Sequence, residues 1–319
     1  MEKASLHLLD TLDDAAVLKL PHDHHQYANA TKWLTSAHAT DSLFVRPCYR
    51  VLFVLATTFM ASTLEPYDVA ITGSHGVGKR SFLSYIFYRL RGLAPESRPT
   101  IVLDIPGCFA CITPDGTVRL GDRLQSFRTE LAERTTFYLA DGVDLPPLRG
   151  DHVGAKTLAV LPAVRAREDA FQRECQRITF VMPRWTTQEL MSCRAACYAN
   201  VSPQELTERE AMWGGLFAKS LAQFTLAKAA SLVESRGYVA NDGDTSEADY
   251  LIHMDVEEND TFQLREASLC SPRVAAELVA RAPSFESVLD FVRTHRSNYR
   301  LREFLRELEV VVMRHMLVV

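Results

Sequence analysis

The feature that most constrains the fold is the stretch YDVAITGSHGVGKRSFLSYIFYRLRG, residues 67–92. An apolar run ends at a glycine, a glycine-rich turn follows, and apolar residues then recur at helical spacing. Gly92 is a typical stop for such a helix. This order predicts a short buried strand at 67–72, a loop, and a helix from about Lys79 to Arg91.

The loop follows the phosphate-binding pattern except at one position. The pattern requires glycine, four residues, glycine-lysine and then serine or threonine. Gly73, Gly78 and Lys79 comply, whereas Arg80 stands where the hydroxyl belongs and Ser81 comes one place late. Ser81 is not a simple substitute, because one helical step rotates a side chain by about 100°.

A loop of this kind can bind phosphate through its backbone. Successive N–H groups point inward at the positive end of the helix dipole, and glycines leave room for the phosphates to approach. Lys79 would reach the β- and γ-phosphates. We therefore predict a site for ATP or ADP; the alternative is a glycine-rich connection that binds nothing. The predicted nucleotide-binding residues are Gly73, Ser74, His75, Gly76, Val77, Gly78, Lys79, Arg80 and Ser81.

A catalytic or metal-facing carboxylate is expected at the end of a second strand. Asp141 ends the run TFYLAD, and an acid at a strand's carboxyl end projects into the ligand crevice of an α/β sheet. Asp104, inside the run IVLDI, is the other candidate. The position favours Asp141, although an aspartate before Gly142 can also be a simple turn residue.

The remaining pattern predicts an α/β fold. Apolar strand-like runs alternate with helical segments, which favours a mostly parallel sheet flanked by helices, as in P-loop NTPases. A hairpin is expected around Pro114–Gly116, where turn residues separate two short apolar runs. Three regions are predicted: a helical lead-in at 1–63, the NTPase core at 64–185, and a largely helical region at 186–319 with a strand pair near 250–265.

Composition and charge limit the kinds of binding partner that the sequence predicts. The 319 residues are 47% hydrophobic and 24% charged, as in ordinary soluble proteins, and the net charge of -5 gives no general attraction to nucleic acid or anionic membranes. The longest apolar run, at 51–61, falls short of the roughly 20 residues that span a bilayer. The first residues show no signal-peptide core. Seven scattered cysteines suit free thiols in a reducing compartment better than a zinc site.

Several motifs follow one another in a fixed order over roughly residues 43–225. They are LFVRPCYRVL, VAITGSHGVGKRSFLSYIFYRL, FYLADG, KTLAVLP, FVMPRWTTQEL and ELTEREAMWGGLFAKSL. In this order the chain resembles the P-loop ATPase module of Crinkler effectors of oomycetes and fungi, which the trypanosome retrotransposon hot spot proteins share. The shared order is more specific than any single motif.

The resemblance implies an ATPase of the AAA+/STAND kind that acts inside a host cell, often in its nucleus, with a host or self protein as partner. By position, Gly73, Gly78 and Lys79 would bind phosphates, and Asp141 would serve the metal and the attacking water. Family members typically continue into a nuclease domain. No lysine in this chain has an acid two residues before it, so we expect no nuclease here.

The departures from the family pattern concern hydrolysis. Arg80 replaces the magnesium-binding hydroxyl, Leu161 replaces a serine before Pro162, and Ala218 replaces an arginine. Losing a charge-stabilising arginine alone can cost about 10³-fold in phosphoryl transfer. We therefore expect a regulatory or switch domain that binds ATP or ADP with weak or lost ATPase activity and with magnesium weak or dispensable.

Two other functions are compatible with the sequence. The loop also resembles the degenerate loops of membrane-associated guanylate kinase homologues, so the chain could be a protein-interaction scaffold that no longer binds nucleotide. The arginine-rich helix near 293–306 could contact DNA. Its acids Glu303, Glu307 and Glu309 favour a solvated, internally paired face instead, so nucleic acid is not an expected partner.

Overall fold

The structure is a computed structural model. It describes residues 17–19, 42–61, 68–141, 154–161, 177–214, 252–256, 261–269, 271, 306, 310 and 313. The chain divides into two compact units. The first comprises Met1–Thr72, Gly78–Leu161 and Arg167–Phe180, and the second comprises Gly73–Val77, Pro162–Ala166 and Val181–Val319.

A seven-stranded sheet organises the fold. Its strands, β3 to β9, are Asp68–Thr72, Ile101–Ile105, Cys108–Ile112, Val118–Gly121, Phe137–Asp141, Lys156–Val160 and Arg177–Val181. Their order across the sheet is β6-β5-β4-β7-β8-β3-β9. Strands β4, β7, β8 and β3 pair in parallel, whereas the β4–β5 and β5–β6 pairs are antiparallel. The expected α/β class with a mostly parallel, helix-flanked sheet is confirmed.

The parallel strands are apolar because both faces of the sheet are covered. In β3 and β8 every residue after the first is buried, and in β7 every residue before the last is buried. Continuous burial of this kind explains why these strands read as apolar runs instead of alternating patterns. The less buried residues of these strands are therefore charged residues at the strand ends.

Helices begin where the sequence supplies a suitable first turn. Pro47 opens α1, at a position where its missing N–H costs no helical hydrogen bond. Thr186 caps α4 in a reciprocal capping box with Glu189, and Ser202 caps α5. The helices α1 to α5 are Pro47–Met60, Lys79–Arg91, Arg128–Leu131, Thr187–Cys197 and Pro203–Trp213, and short 3₁₀ turns are Pro95–Ser97 and Leu124–Phe127.

The predicted hairpin and C-terminal strand pair are both present. Strands β5 and β6 are joined by a turn in which Asp115 accepts hydrogen bonds from Thr113 and Thr117. Strands β10, Ile252–Val256, and β11, Leu264–Leu269, pair antiparallel. Within the described ranges, no helix combines the length and apolar character that crossing a membrane requires.

One local prediction was wrong. Residues 1–45 were expected to be helical, but β1, Val17–Lys19, pairs antiparallel with β2, Ser42–Phe44. These partners are distant in sequence, so local periodicity gives no signal for them. The sequence also predicts a helix near 121–132, and the structure has a 3₁₀ turn at Leu124–Phe127 followed by the short helix α3, Arg128–Leu131.

Some predictions lie outside the described residues. They include the helices expected at about 167–175, 271–282, 284–294 and 299–316, apart from position 271 and the helical positions 306, 310 and 313, and the part of the predicted helical stretch 186–234 that follows residue 214. The three predicted region boundaries stay predictions.

The first unit contains a buried cluster formed by sheet residues and by the segment 124–131. Phe127 is fully buried in this cluster, and Val102, Tyr138 and Leu161 are among the other members. The ring is closely surrounded: a methyl group on Gly121 would lie 2.8 Å from Phe127 Cζ.

We expect Phe127→Ala to lower the free energy of unfolding by about 3–5 kcal/mol, because it removes a large buried ring from a close-packed site. Urea denaturation would measure the change. Leu120→Ala is the control, since Leu120 is 51% exposed on the edge strand β6 and should change stability little. Equal effects of the two substitutions would contradict this packing.

Candidate functional site

The glycine loop, residues Gly73–Gly78, connects β3 directly to α2. Gly73, Gly76 and Gly78 have φ values of 141°, 77° and 98°, in the region that favours glycine. Gly78 is the N-cap of α2, and Lys79 is its first residue. The predicted order of strand, glycine-rich turn and helix is therefore confirmed.

Gly73 is required by a close backbone approach in the second unit. A Cβ at this position would lie 2.8 Å from the carbonyl oxygen of Met182 and 3.3 Å from its nitrogen. Real Cβ atoms do not approach backbone so closely, and the φ of 141° adds further strain. From the sequence, this glycine is expected only to leave room for phosphate; packing against Met182 is a second reason for it.

The rest of the loop in the second unit is held by specific hydrogen bonds. The buried Ser74 hydroxyl accepts a hydrogen bond of 2.8 Å from the Met254 N–H. The Trp185 indole N–H donates to the Gly76 carbonyl at 3.2 Å. Val77 is buried and His75 half-buried. Ser74, predicted only as a nucleotide contact, is thus also a structural residue.

The start of α2 is held within the first unit by an aromatic cluster. The Tyr49 hydroxyl, from α1, donates to the Gly78 carbonyl at 2.8 Å. The Tyr49 ring packs 5.4 Å from Phe82 and 5.8 Å from Tyr85. Sequence reasoning did not assign Tyr49 to the site, because only the packing of α1 against α2 brings it to the loop.

Arg80 forms an ion pair with Asp141 in the first unit. Its Nε–H donates to Asp141 Oδ2, which lies at the end of β7. The Asp141 side chain is 11% exposed, against 56% for Arg80. Burial raises the pKa of Asp141, although the Arg80 and Lys79 charges oppose the rise. Two predicted site residues that are far apart in sequence are therefore in direct contact.

Asp104 has a different partner. It lies opposite Ala140 in the parallel β4–β7 pair, one residue before the level of Asp141. The Tyr138 hydroxyl donates to Asp104 Oδ2 at 2.7 Å. Burial raises the pKa of Asp104, and the Tyr138 hydrogen bond only partly offsets the rise. Both candidate acids thus lie near the same edge of the sheet, one held by arginine and the other by tyrosine.

Leu161, which stands where the Crinkler module that the chain resembles has a serine, is a core residue in this structure. It follows β8, is buried, and donates its backbone N–H to the Ile71 carbonyl at 2.9 Å. It therefore offers no polar side chain to a ligand. Lys79 and Ser81 are half-buried at the start of α2. Ala218 lies outside the described residues.

The chain leaves the neighbouring strands β3 and β8 in opposite directions along the sheet. These neighbours are parallel, but β3 leads to β4 on the far side of β8, whereas β8 leads to β9 on the far side of β3. Ligands in open α/β sheets bind where neighbouring strands lead in opposite directions. The glycine loop begins directly after β3, at this point.

The residues present fit a phosphate group better than a magnesium ion. Phosphate is matched by the backbone N–H groups before α2, by Lys79 and by the exposed Arg80 guanidinium. Magnesium requires oxygen ligands, whereas Arg80 has only donors and the Asp141 carboxylate already binds this guanidinium. In the described part of the chain, no cluster of histidine, cysteine and acidic side chains could hold a metal.

Comparisons with known proteins do not identify a family. No protein-family model and no curated protein matches the chain. One similar solved structure is that of the wild-type Clp1p–Pcf11p (454–563) complex, with 10% identity and a TM-score of 0.24 over 53% of this chain. The match spans 54% of that chain, about half its length. Neither family nor function follows from a likeness at this level.

Asp104→Asn should make the protein less sensitive to pH. Because burial raises the folded-state pKa of Asp104, the folded state retains its proton to higher pH than the unfolded state. Ionisation of Asp104 therefore lowers stability as the pH rises above its ordinary pKa of 3.8. Asparagine cannot ionise and still accepts the Tyr138 hydrogen bond. We expect Asp104→Asn to be more stable than the wild type at pH 7.

Urea unfolding at pH 7 and near pH 4 checks this prediction. The advantage of the variant should shrink toward pH 4, because more of the wild-type carboxyl is protonated there than at pH 7. A constant difference between the two proteins across this range would show that ionisation of Asp104 costs no stability.

Proposed function

We propose that this chain binds ATP or ADP through the glycine loop, as a P-loop domain with weak or lost ATPase activity and a regulatory role. The observation that carries the proposal is the loop itself. Three positive-φ glycines turn the chain from a buried parallel strand into a 13-residue helix whose first residue is Lys79. Backbone donors and a lysine at such a point are suited to the phosphates of a nucleotide.

Arg80 provides a charge that can replace part of the role of a metal. A guanidinium carries five N–H donors, and the ion pair with Asp141 uses Nε. The other N–H donors of Arg80 have the charge and planar geometry with which arginine binds phosphate oxygens strongly. Asp141 then holds Arg80 in position instead of serving a metal. A bound nucleotide would thus meet a fixed cation supplied by the protein.

Hydrolysis has little support in the same residues. An acid that assists an attacking water must be able to accept a hydrogen bond from it. Asp141 is largely buried and bound to Arg80, and Leu161 contributes no polar side chain. The residues therefore favour a domain in which nucleotide binding itself is the signal.

The Crinkler resemblance extends the proposal to the cell. On the order of its motifs, we assign the chain to the ATPase module of a Crinkler-type effector that acts inside a host cell, including its nucleus, with a host or self protein as partner. The alternative is an interaction scaffold without nucleotide. A nucleotide-binding experiment decides between these two functions.

Lys79→Ala should abolish nucleotide-induced stabilisation, because it removes the side-chain charge nearest the predicted phosphates. Millimolar ADP should raise the unfolding temperature of the wild type, since a ligand at about 100 times its Kd adds roughly 2.7 kcal/mol. A thermal-shift assay measures both proteins. Lys156→Ala is the matched control; this half-buried lysine contacts the Phe137 ring and should not affect the nucleotide shift.

The scaffold function replaces the proposal if wild-type protein shows no shift with millimolar ATP or ADP, whether or not Mg²⁺ is present. A shift that survives Lys79→Ala would instead locate the nucleotide away from the glycine loop.

Arg80→Ser should make nucleotide binding depend on magnesium. The variant loses a charge-assisted contact to phosphate, so affinity without metal should fall roughly tenfold or more. It also gains the hydroxyl of the standard motif and frees Asp141, so Mg²⁺ should restore the affinity. Titration calorimetry with and without Mg²⁺ measures this change, and wild-type affinity should differ little between the two conditions.

Arg119→Ser is the matched control, because Arg119 is also 56% exposed and paired with an acid, Glu130. It should leave the magnesium dependence unchanged. Rapid magnesium-dependent ATP hydrolysis by the wild type, abolished by Lys79→Ala, would contradict the role assigned to Arg80.

A further inference from the structure

Strand β10 contacts the glycine loop within the second unit. The Met254 main-chain N–H donates to the Ser74 hydroxyl oxygen across 180 residues of sequence. Met254 also lies opposite Ala267 in the β10–β11 pair. The strand is therefore bound both to its hairpin partner and to a loop residue next to the predicted phosphate site.

A second route joins the same two elements through residues 181–185. Trp185 donates to the Gly76 carbonyl, and the Met182 backbone fills the space beside Gly73. On the other side, Arg184 Nε lies 2.7 Å from Asp255 Oδ1, and Arg184 Nη1 donates to His253 Nδ1 at 3.0 Å. Segment 181–185 therefore contacts the loop and β10 together.

The hairpin that contains β10 is also fixed to this segment. The Val181 N–H donates to the Phe262 carbonyl at 2.7 Å, and Phe262 holds a φ of 53°, which is unusual for a residue other than glycine. Its side chain is buried, as are those of His253 and Met254. The hydrogen bonds among these residues are costly to break, because a buried polar group that loses its partner destabilises the protein.

We propose that β10 is energetically coupled to nucleotide occupancy of the glycine loop, with Ser74 as the positioning residue between them. This inference rests on the proposed nucleotide binding. Phosphate binding requires the loop N–H groups to converge on one point, and the Ser74 and Gly76 contacts hold the loop in a single conformation. A ligand that stabilises this conformation also stabilises β10. By linkage, a partner that displaces β10 weakens nucleotide binding by the same factor by which the nucleotide weakens the binding of this partner.

Hydrogen–deuterium exchange on the full chain, with and without ADP, tests the coupling. In the wild type, ADP should slow exchange in 252–256, including the Met254 amide. Ser74→Ala removes the acceptor. Without ADP, it should speed exchange in this segment, and its ADP affinity should fall roughly three- to tenfold, the effect of one hydrogen bond. The ADP-induced slowing should also be lost.

Ser84→Ala is the matched control. Ser84 is another buried serine, but its hydroxyl donates to the Arg80 carbonyl within α2. This variant should keep both the ADP affinity and the slowing in 252–256.

Each outcome decides a different claim. If the wild type binds ADP in a manner that requires Lys79 but exchange in 252–256 is unchanged, the coupling is refuted and nucleotide binding stands. The coupling is also refuted if Ser74→Ala behaves like Ser84→Ala. If the wild type binds no nucleotide, the proposed function fails, and the coupling fails with it.

Discussion

The ion pair between Arg80 and Asp141 determines what the carboxyl edge of the first unit's sheet can bind. It joins the second residue of α2 to the last residue of β7, and it leaves Asp141 largely buried under a guanidinium. A carboxylate that is free in solvent could attract a cation, whereas this one already has a cation that the protein supplies. This arrangement is consistent with the proposed binding of an anion such as phosphate.

Contacts within each unit hold the glycine loop. Tyr49 binds Gly78 in the first unit, and Trp185 and Met254 bind Gly76 and Ser74 in the second. If the loop binds nucleotide as we propose, this order lowers the entropic cost of binding. The proposed coupling of β10 to the nucleotide rests on the contacts of the second unit.

Local sequence patterns predicted the parts of the fold that depend on local physics. The strands β3, β4, β7 and β8 appear as apolar runs because they are buried on both faces, and the glycine loop is evident from its residue types. The pairing of β1 with β2 was missed because it depends on distant partners. The structural roles of Ser74 and Tyr49 were missed for the same reason: their partners, Met254 and Gly78, are defined only by tertiary contacts.

The contact that Arg80 makes was not predictable from the sequence. An arginine in place of a hydroxyl predicts weak magnesium binding, and this stays a prediction. That Arg80 would bind Asp141 itself required the packing of α2 against the end of β7. Leu161 likewise appeared as a lost polar contact, whereas its side chain is part of the core around Phe127.

The most direct test of the central claim is the concentration of free Mn²⁺, measured by electron paramagnetic resonance in solutions of ADP with and without the protein. A site that binds nucleotide without using the metal gives Mn–ADP and ADP the same affinity, so by linkage it leaves the affinity of ADP for Mn²⁺ unchanged. If the site binds ADP without the metal, the protein will not lower the concentration of free Mn²⁺. A clear fall in free Mn²⁺ on adding the wild-type protein, absent with Lys79→Ala, would contradict it.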